Sequence, residues 1–238
     1  ALIKLDRMDA AKSIFDKAKS HGAKGDGFDK LEQKLGLTNK PAAQQSSDAQ
    51  DPPQDQLQKL AKLYSQKKLQ EVFAKSHTLT KKYTNNLTLW NLMGASAAQI
   101  GQLDEAVFAF KRAIDINPNS PEVYYNMGNV LKDQGKFEEA ITAYQKAITI
   151  KPNLAEAYYS MGIALQSHGK LDEAIAAYQK AISFKPDYAD AYYNMGIALQ
   201  SQDKLNEALE AYKKALAIKP EYAEAYNNMG NTFRDQSR

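Results

Sequence analysis

Apolar and small residues recur through the C-terminal two thirds of the chain with a period of 34 residues. The windows 155–188 and 189–222 align without insertion or deletion and agree at 22 of their 34 positions. Within each half of a window the apolar residues are spaced by three, four and seven, as at Tyr158, Met161 and Leu165, which is the period of an amphipathic helix. The pattern therefore predicts two antiparallel helices per unit, in the windows 87–120, 121–154, 155–188 and 189–222 and in a half unit from residue 223.

Small residues and aromatic residues occupy complementary places in each unit. Glycine recurs at position eight, whereas an aromatic residue recurs at position 24. A glycine between the two halves is expected to end the first helix in the left-handed conformation, with Asp203 in its place in the last full unit. Prolines near position 32 are expected to end the second helix, because the residue before a proline disfavours the α region. These prolines are Pro118, Pro152, Pro186 and Pro220.

These residues resemble the tetratricopeptide repeat (TPR) family. The resemblance covers residues 87–236 strongly, and it implies an all-α fold, a right-handed superhelical solenoid of helix-turn-helix repeats. The regular array is predicted over residues 87–238, with four full repeats and one first helix. Residues 57–86 match weakly, since Val72, Ser76 and Thr84 stand where the family has Ala, an aromatic residue and Pro. They are predicted to form a degenerate capping repeat.

The N-terminal segment is predicted to hold a partial repeat and a linker. Residues 1–36 read as the remnant of a second helix followed by a short helix, with Met8, Ala11, Phe15 and Ala18 at positions 17, 20, 24 and 27. Residues 37–56 are rich in Pro, Gln and Ser, which is typical of a linker. The unpaired helices at the two ends would each expose an apolar face. This predicts a homo-oligomer through the N-terminal segment and the unpaired C-terminal helix, with an incidental contact as the alternative.

Composition narrows the class of partner. No stretch approaches the ~18 apolar residues of a membrane span, so no membrane partner is predicted. The chain has no cysteine, and together with the lack of a signal segment this favours a cytoplasmic location. Residues 1–86 carry 16 Lys and Arg against 10 Asp and Glu, whereas residues 87–238 carry 15 against 18. A mildly acidic array argues against a nucleic-acid partner.

Nothing in the sequence indicates catalysis. The three histidines, His21, His77 and His168, lack the spacing of a zinc site, and neither a phosphate-binding loop nor a nucleophile elbow is present. Neighbouring carboxylates such as Asp104 and Glu105 recur near the start of each second helix, where the helix dipole explains them. We therefore predict that the chain is not an enzyme and has no catalytic residue, no metal site and no cofactor.

The resemblance also implies where a ligand binds, because in this family the first helices line a concave groove. Positions five, six and nine supply tyrosines and asparagines there, and position two supplies a row of acids instead of the cations that grip a C-terminal carboxylate. The asparagines at position six resemble the asparagine ladder of the O-GlcNAc transferase repeats, with interruptions at Leu92 and Ser160. The predicted groove residues are Asn91, Tyr125, Asn126, Asn129, Tyr159, Ser160, Tyr193, Asn194, Asn227, Asn228 and Asn231.

The resulting hypothesis is a protein-interaction scaffold that binds a protein or peptide segment in the concave groove, since Tyr and Asn suit an unfolded backbone. One alternative is the substrate-recognition arm of a larger bacterial glycosyltransferase or sulfotransferase, whose repeat regions the chain resembles. Another is a self-assembling scaffold that uses its own N-terminal segment as the ligand. A recent duplication with no ligand would also produce the recurrent tyrosines.

Overall fold

The computed structural model describes residues 51–237 of the 238-residue chain, so the predictions for residues 1–36 and for most of the linker lie outside the described residues. Between residues 51 and 237 there are eleven α-helices and no strand. In chain order the helices are α1 (Gln54–Ser65), α2 (Leu69–Lys82), α3 (Leu87–Gln99), α4 (Leu103–Ile116), α5 (Pro121–Asp133), α6 (Phe137–Ile150), α7 (Ala155–Ser167), α8 (Leu171–Phe184), α9 (Ala189–Ser201), α10 (Leu205–Ile218) and α11 (Ala223–Gln236).

Each helix packs chiefly on its neighbours in the chain, which makes the described part a row of helical hairpins. The first hairpin, α1 with α2, packs on α3 through a small cluster that includes Leu60, Val72 and Leu89. The pairs α3–α4, α5–α6, α7–α8 and α9–α10 follow, and then α11. A row of this kind, in which only nearest neighbours touch, is a solenoid. The predicted all-α solenoid is confirmed.

The turns inside the hairpins depend on a residue with positive φ. Gly135 has φ 73°, and the bonds around it are those of a Schellman motif, with Gly135 N–H on the Lys132 carbonyl and Lys136 N–H on the Leu131 carbonyl, both at 2.9 Å. Asp203 adopts φ 60°, as the sequence predicts. Lys67 has φ 57° in the first hairpin, a left-handed residue that the sequence pattern does not predict.

The second helices end where the prolines require. Helix α4 ends at Ile116, and Asn117, which precedes Pro118, has the extended dihedral angles φ −137° and ψ 96°. Lys185, before Pro186, follows the same pattern with φ −135° and ψ 85°. The predicted role of the recurrent prolines is confirmed.

Glycine at position eight lets the two helices of a repeat touch. A Cβ atom built on Gly162 would lie 2.5 Å from Cε1 of Tyr178, and one on Gly196 would lie 2.5 Å from Cε1 of Tyr212. Both tyrosine rings are fully buried. Gly230 in α11 has nothing within 4 Å of such an atom, because no second helix covers α11 among the described residues.

Successive repeats are also joined at their edges by a recurring polar contact. The side-chain amide of Gln134 donates to Asp104 at 2.8 Å, and Gln202 donates to Asp172 at 2.9 Å. At the equivalent place His168 Nε2 lies 3.2 Å from a carboxylate oxygen of Glu138. The carboxylates that the sequence analysis assigned to the helix dipole therefore also connect one repeat to the next.

Candidate functional site

The first helices of successive pairs lie closer to one another than the second helices do. Contacts join α3 to α5, α5 to α7, α7 to α9 and α9 to α11, whereas contacts between second helices are at most marginal in the described residues. In a curved stack the closer layer lies on the inner side. We call the inner surface of these five helices the groove.

Two tyrosine–asparagine pairs cross the repeat boundaries in the groove. The side-chain amide of Asn194 donates to the hydroxyl of Tyr159 at 2.9 Å, and that of Asn228 donates to the hydroxyl of Tyr193 at 3.1 Å. Each tyrosine is at position five of its repeat, and each asparagine is at position six of the next. The structure therefore brings together four of the predicted groove residues in a way that their separation of 35 residues does not reveal.

A second set of tyrosines supports the first from the turns between repeats. The Tyr188 ring lies 4.7 Å from that of Tyr159, and the Tyr222 ring lies 4.8 Å from that of Tyr193. Lys219 Nζ lies 4.1 Å from the centre of the Tyr222 ring. Tyr188 and Tyr222 are not among the predicted groove residues, although their recurrence at position 34 of two windows is a usable signal.

Burial controls the protonation of the groove tyrosines. It raises the pKa of Tyr159, and the nearby Asp190 carboxylate raises it further because an anionic phenolate would be repelled. Burial likewise raises the pKa of Tyr193, with Glu224 adding to the effect. Each hydroxyl therefore keeps its proton at neutral pH while it accepts the asparagine bond.

Three other predicted groove residues are buried or already hydrogen-bonded to other side chains of the protein. Asn129 accepts a hydrogen bond at 2.8 Å from the hydroxyl of Tyr144. Asn231 accepts one at 3.1 Å from Arg234. Ser160 is buried, with 7% of its surface exposed. Asn129 and Asn231 already accept a hydrogen bond and Ser160 is shielded from solvent, so these three residues have less capacity left for a ligand.

The remaining four predicted residues are less constrained. Tyr125 is half-buried beside Tyr144, with the ring centres 6.0 Å apart, and Asn227 is exposed. Asn126 is half-buried. Asn91 has a buried side-chain oxygen without a hydrogen-bond partner in the described residues. None of the four forms a tyrosine–asparagine pair across a repeat boundary.

The acids at position two lie on the first helices, and their surroundings differ. Glu122 is 3.8 Å from the ammonium group of Lys151, and Asp190 accepts a hydrogen bond at 2.9 Å from Tyr222. Glu156 and Glu224 are exposed. Within residues 51–237 no three His, Cys, Asp or Glu side chains come together in a group that could hold a metal ion, and no helix has the length and apolar character to cross a bilayer.

Solved structures with the same fold are similar to the chain over most of its length. A crystal structure of MamA is 29% identical, with a TM-score of 0.66 over 69% of this chain and 96% of that one. A structure of MamA from residue 41 onward, from Desulfovibrio magneticus RS-1, is 21% identical, with a TM-score of 0.65 over 71% and 98%. YrrB, described as a TPR protein with an unusual peptide-binding site, is 24% identical, with a TM-score of 0.64 over 73% and 89%. The last two likenesses show the fold alone.

No curated protein matches the chain. The family model described as TPR repeat matches residues 96–135, 128–169, 167–203 and 201–237, which together make up more than half of the chain. The matched residues contain four of the five position-eight glycines, the buried position-24 aromatics and the prolines that end the second helices. The chain belongs to the tetratricopeptide repeat family.

Proposed function

We propose that the chain is a protein-interaction scaffold that binds an extended polypeptide segment in the groove. Membership of the TPR family supports the scaffold. The two tyrosine–asparagine pairs, Tyr159 with Asn194 and Tyr193 with Asn228, support the polypeptide ligand, and they are the observation that carries the proposal.

The pairs keep hydrogen-bonding capacity after they have formed. Each tyrosine hydroxyl accepts from an asparagine and retains its own proton for donation, while each asparagine retains its side-chain oxygen and a second N–H. An extended polypeptide presents carbonyl and N–H groups alternately along its backbone. The groove can therefore satisfy backbone groups at two successive repeats without reading the ligand's side chains.

The charges around the groove favour a ligand that binds through an internal segment of polypeptide over one that binds through its C-terminal carboxylate. Positions five and six of the groove carry no cation, and position two carries Glu122, Glu156, Asp190 and Glu224. A ligand carboxylate would meet repulsion from this row, although each exposed charge has a small effect by itself. The ligand is then held by its backbone and by contact with the tyrosine rings.

The test is selection of binding peptides from a displayed library of random 12-residue sequences, followed by affinity measurements on individual peptides. The double variant Asn194→Ala with Asn228→Ala removes up to two backbone bonds, each worth about 0.5–1.5 kcal/mol. It should bind the selected peptides ~10-fold more weakly. Gln145→Ala, an exposed change on α6 outside the groove, is the matched control and should bind as the unaltered chain does. Unchanged affinity in the double variant, or no peptide selected at all, would overturn the proposal.

Self-association is a second candidate, favoured by apolar side chains of α11 that are exposed among the described residues. Tyr226 and Phe233 are 52% and 46% exposed, whereas the residues equivalent to Phe233 in α7 and α9, Leu165 and Leu199, are buried. The candidate occupant is residues 1–21 of a second copy, which have the sequence pattern of a second helix and lie outside the described residues. Light scattering should show a dimer or larger species that Phe233→Glu dissociates, and a monomer in both samples would exclude it.

A further inference from the structure

The groove contains a pocket of about 380 Å³ where α1, the pair α3–α4 and α5 meet. Ala95, Ala98, Phe110 and Val130 contribute its apolar side. Phe110 is at position 24, where the following three repeats have a tyrosine. The pocket is therefore a place where this repeat differs from its neighbours.

The pocket coincides with a linked change at two positions of one repeat. In α7–α8 the Tyr178 hydroxyl donates to Gln166 at 2.8 Å, and in α9–α10 Tyr212 donates to Gln200 at 2.9 Å. In α3–α4 the residue equivalent to these glutamines is Ala98, and the aromatic residue lacks a hydroxyl. Space that a hydroxyl and a long amide side chain fill elsewhere is left open here, and Phe110 has no hydroxyl that would need a partner.

The polar side of the pocket includes Tyr64 of α1 and Gln99 of α3, whose side-chain amide donates to the Tyr64 hydroxyl. Asn126, Asn129 and Asp133 line it from α5, and Glu122 continues the same stripe because these residues are separated by three or four positions. The α5 stripe thus has a carboxylate at each end. The equivalent stripe of α9, with Asp190, Asn194, Ile197 and Ser201, has one carboxylate.

The Asp133 carboxylate, which lines the pocket, is accessible to solvent. The Asp133 side chain is 58% exposed, and one of its oxygens lies 3.2 Å from Lys132 Nζ. A basic ligand would share the Asp133 carboxylate with Lys132. Glu122, at the far end of the α5 stripe, lies near Lys151. The second Asp133 oxygen can accept from a group that enters the pocket.

We propose that this pocket binds a lysine or arginine side chain of the polypeptide in the groove. The aliphatic stem of such a side chain packs on Ala95, Ala98 and Phe110, while its cationic end reaches the Asn126 amide oxygen and the Asp133 carboxylate of α5. The inference rests on the proposed peptide-binding function and adds to it the chemical class of the residue that sets the register of the ligand.

The other repeats contain residue pairs that can be copied into this repeat to fill the pocket. Ala98→Gln with Phe110→Tyr copies the arrangement of Gln166 with Tyr178. Ala95→Asn with Phe110→Tyr copies that of Asn129 with Tyr144. Ala217→Gln places the same glutamine on an exposed site of α10 and is the control for the added side chain.

Selection from random 12-residue peptides tests the pocket when it is run in parallel on the unaltered chain and on both filled variants. Peptides selected by the unaltered chain should be enriched in Lys and Arg at one position. Replacement of that residue by norleucine should weaken binding to the unaltered chain ~10-fold, as expected for an anchor residue, and should have no effect on the filled variants. Asp133→Asn should reduce the preference for the basic peptide ~3-fold, the scale of an exposed ion pair.

The outcomes separate the two proposals. If the unaltered chain selects no peptide, the groove function fails and the pocket fails with it. If peptides are selected without basic enrichment, and the filled variants bind them equally well, the pocket proposal is overturned and the groove function stands. If the selected peptides are instead enriched in leucine or phenylalanine, and the filled variants lose that enrichment, the pocket binds an apolar side chain and the proposal is also overturned.

Discussion

The contact between Gly162 and Tyr178 offers a sharp test of how the repeats are held together. Gly162→Ala would place a methyl group 2.5, 2.7 and 3.0 Å from three ring atoms of Tyr178. Real Cβ atoms do not approach that closely, so the ring or the helix has to move. The ring has no free direction, since it is fully buried and its hydroxyl is bonded to Gln166.

Two opposing effects determine the magnitude. Overpacking a well-filled core costs about 1–3 kcal/mol, and a contact of 2.5 Å to a trapped ring belongs at the upper end. Alanine in place of glycine within a helix stabilises by about 1 kcal/mol. The net expectation for Gly162→Ala is a loss of about 1–2 kcal/mol. Gly230→Ala should gain the higher helix propensity of alanine without a steric clash, because nothing lies within 4 Å of its added methyl group.

The assay is urea denaturation of the 238-residue chain followed by far-UV circular dichroism, with amide hydrogen exchange to localise the change. Gly162→Ala should lower the urea midpoint and speed exchange in α7 and α8, whereas Gly230→Ala should leave the midpoint unchanged or raise it. In a Tyr178→Ala background, Gly162→Ala should no longer destabilise. Equal effects of the two glycine substitutions in the unaltered background would refute the close-packing argument.

Three further predictions concern the turns and the buried hydroxyls. Lys67→Gly and Asp203→Gly should each raise the free energy of unfolding in urea by about 0.5–1 kcal/mol. Each substitution relieves a left-handed strain of about 1–2 kcal/mol, and the greater conformational entropy of glycine in the unfolded chain offsets part of that gain. No gain would exclude strain at these turns. Gly135→Ala should destabilise by about 1 kcal/mol through its φ of 73° alone, since nothing lies near its Cβ position; an unchanged urea midpoint would contradict this. Burial raises the pKa of Tyr178 above its ordinary value of 10.0. The protonated Tyr178 hydroxyl therefore contributes fully to the free energy of unfolding below pH 10. Above pH 10 that contribution decreases by up to ~1.4 kcal/mol per pH unit until the folded-state pKa is reached. Tyr178→Phe should lose stability less steeply than the unaltered chain between pH 9 and pH 11, and parallel curves would contradict the assignment.

Much of the fold could be predicted because its signals are local. Glycine at the hairpin turns and proline after the second helices act within a few residues, and both appear in the structure where the period places them. Lys67 was missed for the same reason. The first hairpin has no glycine at that place, and a lysine in the left-handed conformation leaves no mark in the sequence pattern.

The groove was predicted less completely, since the role of an asparagine depends on what faces it. Asn194 is available to the groove because Tyr159 of the preceding repeat meets it. Asn129 is used by the fold because the residue beneath it is Tyr144 and not a phenylalanine. The joint appearance of Ala98 and Phe110 in one repeat was readable in the sequence, but its meaning required the hydroxyl contacts of the other repeats. The resemblance to O-GlcNAc transferase repeats and to bacterial glycosyltransferase arms stays a prediction.

Backbone recognition in the groove is most directly tested by N-methylation of a selected 12-residue peptide, one peptide bond at a time. Each methyl group removes a backbone donor and leaves the side chains unchanged. If the groove binds polypeptide through the Tyr159–Asn194 and Tyr193–Asn228 pairs, methylation at two or more separated bonds should weaken binding ~10-fold, and those losses should vanish in the double variant Asn194→Ala with Asn228→Ala. Equal affinity for all of the methylated peptides would contradict backbone recognition.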